Sequence, residues 1–528
     1  MSEPFRFANY PQPIRKVAVI GSGPSGTPAA RHLRDAGLQV RVFERQPQAG
    51  GIWNWSPTLS LPLSVPTPPP SHGAFIPRRP NKDQKPIDQV EFSPPNPVYW
   101  TLSNNVPTNT MAFKDFPYPP ATEANIPHTQ IAAYVHDYAR HFGLDEITSY
   151  NTRVEHATKI NTASGDVWRL TLHNLESGQE KFWTEDFDAV VVATGHYNAP
   201  FIPAVPGVES WAAKWPTDVV HSQGYRIPER YTGKDILIIG IGTSGVDIAR
   251  DLSPHTRKIY MVGRNRIAGP EGYRQMRRLQ RHLLPPNAEN VPEIKRFRPP
   301  SDGGIEGGQV ELTDGRVISG IGAVIFATGY QYSFPFLPEL HADPGKSEPR
   351  RTGFPLVTDG KGVLNLYRDT FYIPDPTLTF LGLSVNTSAF SFFEYQAQSI
   401  SRVFQGTARL PPLYERWEAY HALVREKGEG KFSHFLGKQG ERDFVRETVE
   451  WINRDAIKSG AKLVDGHSEE WLKASDNIIG MIAEKYGLDA ETWKKIREGD
   501  DSPGPAEASV VVEKVAADIG ANRTLVTA

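Results

Sequence analysis

The chain has 528 residues, 58 Lys+Arg against 60 Asp+Glu, and no cysteine. The net charge of −2 removes the simplest electrostatic case for a nucleic-acid partner. The missing cysteine excludes disulfides, thiolate-ligated zinc and iron–sulfur clusters, thiol nucleophiles and a redox-active cysteine pair. At 39% hydrophobic and 22% charged the chain can build sizeable cores, and at ~150 residues per domain its length suggests about three domains.

Lys16–Ile20 reads as a buried strand, a short apolar run ended by glycine. A glycine-rich turn follows, then a helix expected over Ala29–Ala36 with Gly37 as its stop, then a strand over Leu38–Phe43. This order opens a doubly wound α/β sheet. Between Pro57 and Pro97 lie twelve of the 46 prolines. Proline neither donates in a sheet nor continues a helix, so the segment is expected as a long irregular loop. Phe75 and Phe92 suggest that it packs on the protein surface; a flexible linker is the alternative. Further on, Ile131–Phe142 reads as helix and Ala189–Ala193 as a buried strand. Asp235–Leu252 repeats the opening pattern, and Ala323–Phe326 is another strand. Both later strands run into Ala-Thr-Gly, at Ala193-Thr194-Gly195 and Ala327-Thr328-Gly329. From Pro411 helical patterns dominate, with Val445, Val449 and Ile452 on one face. The tail beyond about Asp500 is expected to be peripheral.

No run approaches the ~18 apolar residues of a membrane span, and no apolar signal core or lipidation signal is visible. These features read as a soluble, cytoplasmic protein without nucleic-acid partner or membrane span. No metal set is seen, and there is no H-E-x-x-H or G-x-S-x-G.

The first fingerprint is Gly21-Ser22-Gly23-Pro24-Ser25-Gly26. Gly21 permits the tight turn, Gly23 lets a pyrophosphate approach the backbone, and Gly26 lets helix and strand pack closely. The helix N-terminus offers N–H groups and partial positive charge to the phosphates. Glu44, at the end of the second strand, would accept ribose hydroxyls and repel a 2′-phosphate. The second fingerprint is Gly240-Ile241-Gly242-Thr243-Ser244-Gly245. There, at what reads as the matching strand end, stand Arg264 and nearby Arg266, whose guanidinium groups suit a 2′-phosphate. One acidic and one basic ribose site imply FAD at the first and NADPH at the second, with hydride passing from nicotinamide to flavin. With no cysteine to take the electrons onward, the acceptor is dioxygen, a quinone-like molecule or a separate protein.

Over most of Lys16 to about Pro411 the sequence resembles the flavin-containing monooxygenases. The resemblance is carried by several elements. They are the FAD fingerprint with Glu44 and Gly50-Gly51-Ile52-Trp53; Leu102-Ser103-Asn104-Asn105-Val106-Pro107, running on to Met111–Pro117; His221-Ser222 with Tyr225; the two Ala-Thr-Gly strand ends; and Phe393–Gln398. In the family's identifying motif Trp215 and Thr217 replace the usual Phe and Gly, while His221 and Tyr225 match. Baeyer–Villiger relatives have Trp where Tyr225 stands, so Tyr225 favours the heteroatom-oxidising branch.

The resemblance implies a fold of two Rossmann-like dinucleotide-binding domains. It gives an FAD domain over 1–213 and 334–437 with a Pro-rich insertion at about 57–97, an inserted NADPH domain over 214–333, and a mostly helical extension over 438–528. It implies that NADPH reduces FAD, that dioxygen adds at flavin C4a, and that the hydroperoxide passes its distal oxygen to a soft nitrogen or sulfur of a small molecule while NADP⁺ stays bound. It also implies site roles. Asn105 matches the family's active-site asparagine, an uncharged donor and acceptor; its bland alternative is a turn asparagine before Val106-Pro107. Asn104 would face NADP⁺, beside Val106. Ile52 and Trp53 would line the isoalloxazine, Trp53 otherwise being plain core. Thr243, Ser244, Gly245 and Asp247 would meet the pyrophosphate or the nicotinamide half, and His221 is read as scaffold. Rival readings are a Baeyer–Villiger monooxygenase, a peroxide-producing NADPH oxidase and a non-catalytic flavin-binding protein; a homodimer stays open.

Overall fold

The computed structural model describes residues 5–81, 85–163, 165–263, 268–298, 303–345 and 353–499. Two parallel sheets carry the two fingerprints. Lys16–Ile20 forms the strand expected of it, with Val17, Ala18 and Val19 fully buried, as in a strand covered on both faces. It pairs in parallel with Gln39–Phe43 on one side and Ala189–Val192 on the other. The whole sheet runs Leu366–Tyr367, Phe371–Tyr372, Leu378–Phe380, Ala189–Val192, Lys16–Ile20, Gln39–Phe43, Thr148–Ser149. The second sheet runs Ala288–Val291, Lys258–Val262, Asp235–Ile239, Ile321–Phe326, Val219–His221, parallel throughout. Its strands fall in the chain between Ala189–Val192 and Leu378–Phe380, which are neighbours in the first sheet. The second core also recruits Ile202, Val208 and Trp211, so its packing reaches back beyond the boundary expected at 214.

The first glycine-turn helix spans Gly26–Asp35, starting earlier than expected at Ala29. Pro28 falls in its first turn, where an amide hydrogen has no helical acceptor to lose. The helix expected over Ile131–Phe142 spans His128–His141, directly after Pro127. An antiparallel meander, Thr152–Thr162, Gly165–Glu176 and Gln179–Phe187, was not foreseen from the sequence. Its local signal is the tight Ser177-Gly178 turn, with φ of 51° and 77°, the two left-handed residues of a hairpin turn. Val154, Leu170, Leu172 and Phe187 on its inner face join the first core with Ile20 and Val190.

The described residues of the Pro-rich segment form a packed strap, irregular apart from short turns at Pro70–His72 and Gln89–Phe92. Phe92 is fully buried with Ile87 and Leu175, and Phe75 packs on the first core. Thr67 exchanges two 2.7 Å hydrogen bonds with Ile202. Arg226, beside the second sheet, donates to Thr58 O at 3.0 Å and Ser60 Oγ at 3.3 Å. Toward the C-terminus come helices Leu413–Lys427, Gly437–Ser459, Glu469–Asp476, Ile478–Lys485 and Ala490–Glu498. Val445 and Ile452 of the expected stripe are buried, and Val449 packs beside Phe392 and Tyr395. No helix among the described residues is long and apolar enough to cross a membrane. The tail beyond Asp500 lies outside the described residues.

Candidate functional site

Each fingerprint sits where a central strand of its sheet turns into a helix. In the first, Gly21 takes φ of 104°, and a Cβ there would stand 2.5 Å from Ala193 O. A Cβ on Gly26 would stand 1.9 Å from Gly21 O, so helix and turn can close only on glycine. Gly23 faces Gly51, with 3.2 Å from an added Cβ to Gly51 Cα. Pro24 and Ser25 complete the turn, and no side chain caps the helix. Its first N–H groups therefore stay available to an anion. Glu44 is buried beside it. Its Oε2 accepts from Ser22 N–H at 2.8 Å and its Oε1 from Gln46 N–H at 2.9 Å. These bonds fix the carboxylate and leave acceptor capacity on both oxygens for ribose hydroxyls. The glycine cradle and this donor set fit FAD.

Gly51–Trp53 forms one turn of 3-10 helix, with Ile52 and Trp53 half-buried. Trp53 packs against the core on the opposite face of the first sheet, the one that holds Val17 and Val19, and edge-on to Phe390 at 6.5 Å, so its core and cofactor-wall readings share one position. Asn54, which sequence reasoning did not single out, locks the turn by donating to Ala49 O and Gln46 Oε1, each at 2.8 Å.

The second fold copies the first. Gly21 N–H donates to Phe43 O at 2.8 Å, and Gly240 N–H to Val262 O at 2.9 Å. Gly240 has φ of 115°, with its added Cβ 2.4 Å from Ala327 O, and that of Gly245 2.1 Å from Gly240 O. This register corrects the sequence alignment by one residue. Glu44 follows Phe43 and Gly263 follows Val262, so the counterpart of Glu44 is Gly263, not Arg264. The second fold thus has no carboxylate at the position of Glu44. Arg264 and Arg266 themselves lie outside the described residues.

Thr243 and Ser244 are exposed at the second helix start, and again no side chain caps it. Above the turn lies the helix Glu271–His282, whose role the sequence did not disclose. Gln280 donates to Thr243 Oγ1 at 2.7 Å. Arg277 donates to Ile241 O, and its Nη1 stands 3.1 Å from an added Cβ on Gly242. No carboxylate among the described residues pairs with Arg277. A cation facing a glycine turn with free N–H groups fits the diphosphate of NADPH. Asp247 is turned elsewhere, its carboxylate accepting the Tyr99 hydroxyl.

The segment Tyr99–Val106 runs between the folds. Asn104 is buried and turned inward rather than toward a cofactor. Its amide donates to Val106 O and Ala124 O at 2.8 Å and accepts from Ile126 N–H at 2.6 Å. Its neighbour Asn105 is exposed and has no hydrogen-bond partner among the described residues. Asn104 therefore anchors the turn and Asn105 presents its amide outward. Val106 packs on the same core as Trp53.

His221 is scaffold. Its Nε2 lies 3.0 Å from Gly329 O and its Nδ1 accepts from Gln223 N–H at 3.1 Å. Burial pushes it down to about 3, so it is neutral, with the proton on Nε2. Tyr225 is fully buried beneath the second fold, where its hydroxyl donates to Asp251. It contributes to packing, and the branch preference read from it does not act through contact with a substrate. His196, also missed, directly follows the first Ala-Thr-Gly. Its Nδ1 lies 2.9 Å from Gly382 O, its Nε2 is buried without a partner among the described residues, and burial pushes it down to about 4. A histidine directly after such a strand end was the available signal.

Comparison with known proteins agrees with this geometry. A family described as flavin-binding monooxygenase-like matches residues 93–269 and 305–453, and an NAD(P)-binding Rossmann-like domain matches residues 19–56. The flavin-containing monooxygenase iboF of Amanita muscaria is 36% identical over 86% of this chain and 91% of its own. The flavin-containing monooxygenase FMO GS-OX3 of Arabidopsis thaliana is 30% identical over 85% and 86%. Among solved structures, S-allyl-L-cysteine S-oxygenase of Allium sativum shares the fold at a TM-score of 0.64 and 22% identity, covering 96% of this chain and 99% of its own.

Proposed function

The chain belongs to the flavin-containing monooxygenases, enzymes that use FAD and NADPH, and on that premise we propose that it transfers one oxygen atom from dioxygen to a soft nitrogen or sulfur of a small molecule. The observation that carries this reading is the pair of folds that differ at one register position, Glu44 against Gly263, and are joined by the segment that presents Asn105. When bound, the flavin accepts hydride from NADPH and activates dioxygen.

The protein's own residues do the rest. The glycine turns and uncapped helix ends hold the two diphosphates, and Glu44 holds the ribose of FAD. Asn105 would offer an uncharged donor and acceptor beside the flavin, and its amide would deliver no proton there. No strong acid or base is needed, in keeping with the neutral His221 and His196. The S-oxygenase named among the structural neighbours acts within the proposed substrate class.

The test is turnover under ¹⁸O-labelled dioxygen with paired amine, sulfide and ketone substrates, read by product mass. Label in an N-oxygenated product or sulfoxide is expected. Label only in an ester or lactone would move the protein to Baeyer–Villiger chemistry.

A further inference from the structure

The C-terminal helices are docked along the segment that presents Asn105. Lys114 Nζ pairs with Asp465 at 3.2 Å, and Trp471, buried, donates from Nε1 to Thr110 O at 3.0 Å. Lys485, at the end of the helix Ile478–Lys485, donates to Ser103 Oγ at 2.9 Å and to Asn104 O at 3.3 Å. The next residue, Tyr486, lies under the Arg250 guanidinium at 4.0 Å. Arg250 in turn stands 3.7 Å from Asp247, which accepts the Tyr99 hydroxyl. One face of the second glycine-turn helix thus touches both the start of the Tyr99–Val106 segment and the residue beside Lys485.

We propose that the C-terminal extension completes the oxygen-transfer site, with Lys485 as its positioning residue; this rests on the reading of Asn105 given above. Asn104 C=O and Asn105 N–H belong to one peptide unit. An ammonium bound to the carbonyl is a charge-assisted hydrogen bond, and it polarises that unit so that the Asn105 N–H becomes a stronger donor. That N–H has no partner among the described residues. Lys485 therefore fixes the turn that carries the Asn105 side chain and strengthens the backbone donor beside it. The Tyr486–Arg250 stack sets the position of Lys485 from the NADPH fold, so the turn is registered to both nucleotides.

The experiment uses the full-length, FAD-loaded enzyme with NADPH in air and no organic substrate. Lys485→Met keeps the apolar stem and removes charge and donors. Peroxide release is expected to rise about tenfold, toward what a misplaced catalytic group costs. The NADPH KM should hold, and amide hydrogen exchange across residues 102–106 should accelerate. Lys485→Arg should restore both readouts, and Lys494→Met, on an exposed face of the same extension, should match the parent. Asn105→Leu is run in parallel. If it releases peroxide while Lys485→Met matches the parent, the inference falls and the reading of Asn105 stands. If neither variant releases peroxide, the reading of Asn105 falls and takes the inference with it. Faster exchange without peroxide release in Lys485→Met, or equal release from Lys494→Met, also overturns the positioning role.

Discussion

The two nucleotide folds share their phosphate-facing geometry and differ in what surrounds it. Each closes its turn with a glycine whose Cβ would strike a backbone oxygen, and each sets an arginine of its helix on an aromatic ring. Arg31 lies over Phe142 at 3.9 Å and Arg250 over Tyr486 at 4.0 Å. Beyond that they diverge. The first places Glu44 at its strand end and a His32–Glu394 pair at 3.1 Å behind its helix. The second places Gly263 at the strand end and the Tyr225–Asp251 bond behind the helix. Phosphate binding is a backbone property and is copied; ribose choice rests on side chains at the strand end and is not. The ring that covers Arg250 also comes from far along the chain, which makes the second fold dependent on the extension.

The largest effect should come from breaking one fold at a time. Gly26→Ala forces a Cβ into Gly21 O and should cost about 3 kcal/mol with loss of FAD. Gly245→Ala should abolish NADPH binding while leaving the protein yellow. Flavin content and nucleotide titration check both, and loss of flavin from Gly245→Ala would show that the folds are not separable. Arg264→Ala should weaken NADPH by about 1.5–3 kcal/mol and NADH little; equal losses would remove it from the 2′-phosphate. Buried Asp251 sharpens the comparison through pH. Burial pushes its carboxyl up to about 6, above the ~3.9 of an unfolded aspartate. The folded state therefore holds the extra proton, and this group's stabilisation, full below about pH 4, is lost as pH rises to about 6, by about 2 kcal/mol. Asp251→Asn should remove that slope, read as the difference in urea midpoints at pH 4.5 and 7. The smallest effect is expected of Arg277→Met. It should weaken NADPH and NADH alike by about 1 kcal/mol, because the diphosphate it faces is common to both; a selective loss for NADPH would place it at the 2′-phosphate instead.

The strand–turn–helix units were legible because their signals are local: a short apolar run, spaced glycines and a strand end at fixed distance. Matching Arg264 to Glu44 overshot the second strand end by one: 23 residues separate Gly21 from Glu44 and Gly240 from Gly263, and the hydrogen-bond register of the two turns agrees with that count. The meander over 152–187 escaped because its strands carry many charges on the outer face, as in Gln179–Phe187, and only the Ser177-Gly178 turn announces it. Asn104 and Asn105 are adjacent and chemically identical, so the sequence could not tell which one is consumed by the fold. Arg277 over Gly242 and Lys485 on Asn104 are long-range contacts made by helices whose own sequences carry no motif.

The order of strands in the first sheet has a consequence for synthesis. Val190 pairs with Leu378, whereas every strand of the second sheet lies between Val219 and Phe326. At ~5–20 residues per second, roughly 10–40 s separate translation of these two neighbours in the first sheet. All strands of the inserted fold are translated within that interval, before the extension that covers Arg250, while Ala189–Val192 still offers an unpaired edge. Nascent chains stalled before Leu378 should therefore present the second sheet, with Arg250 still uncovered, on a host sheet that is still open and prone to pair with other chains.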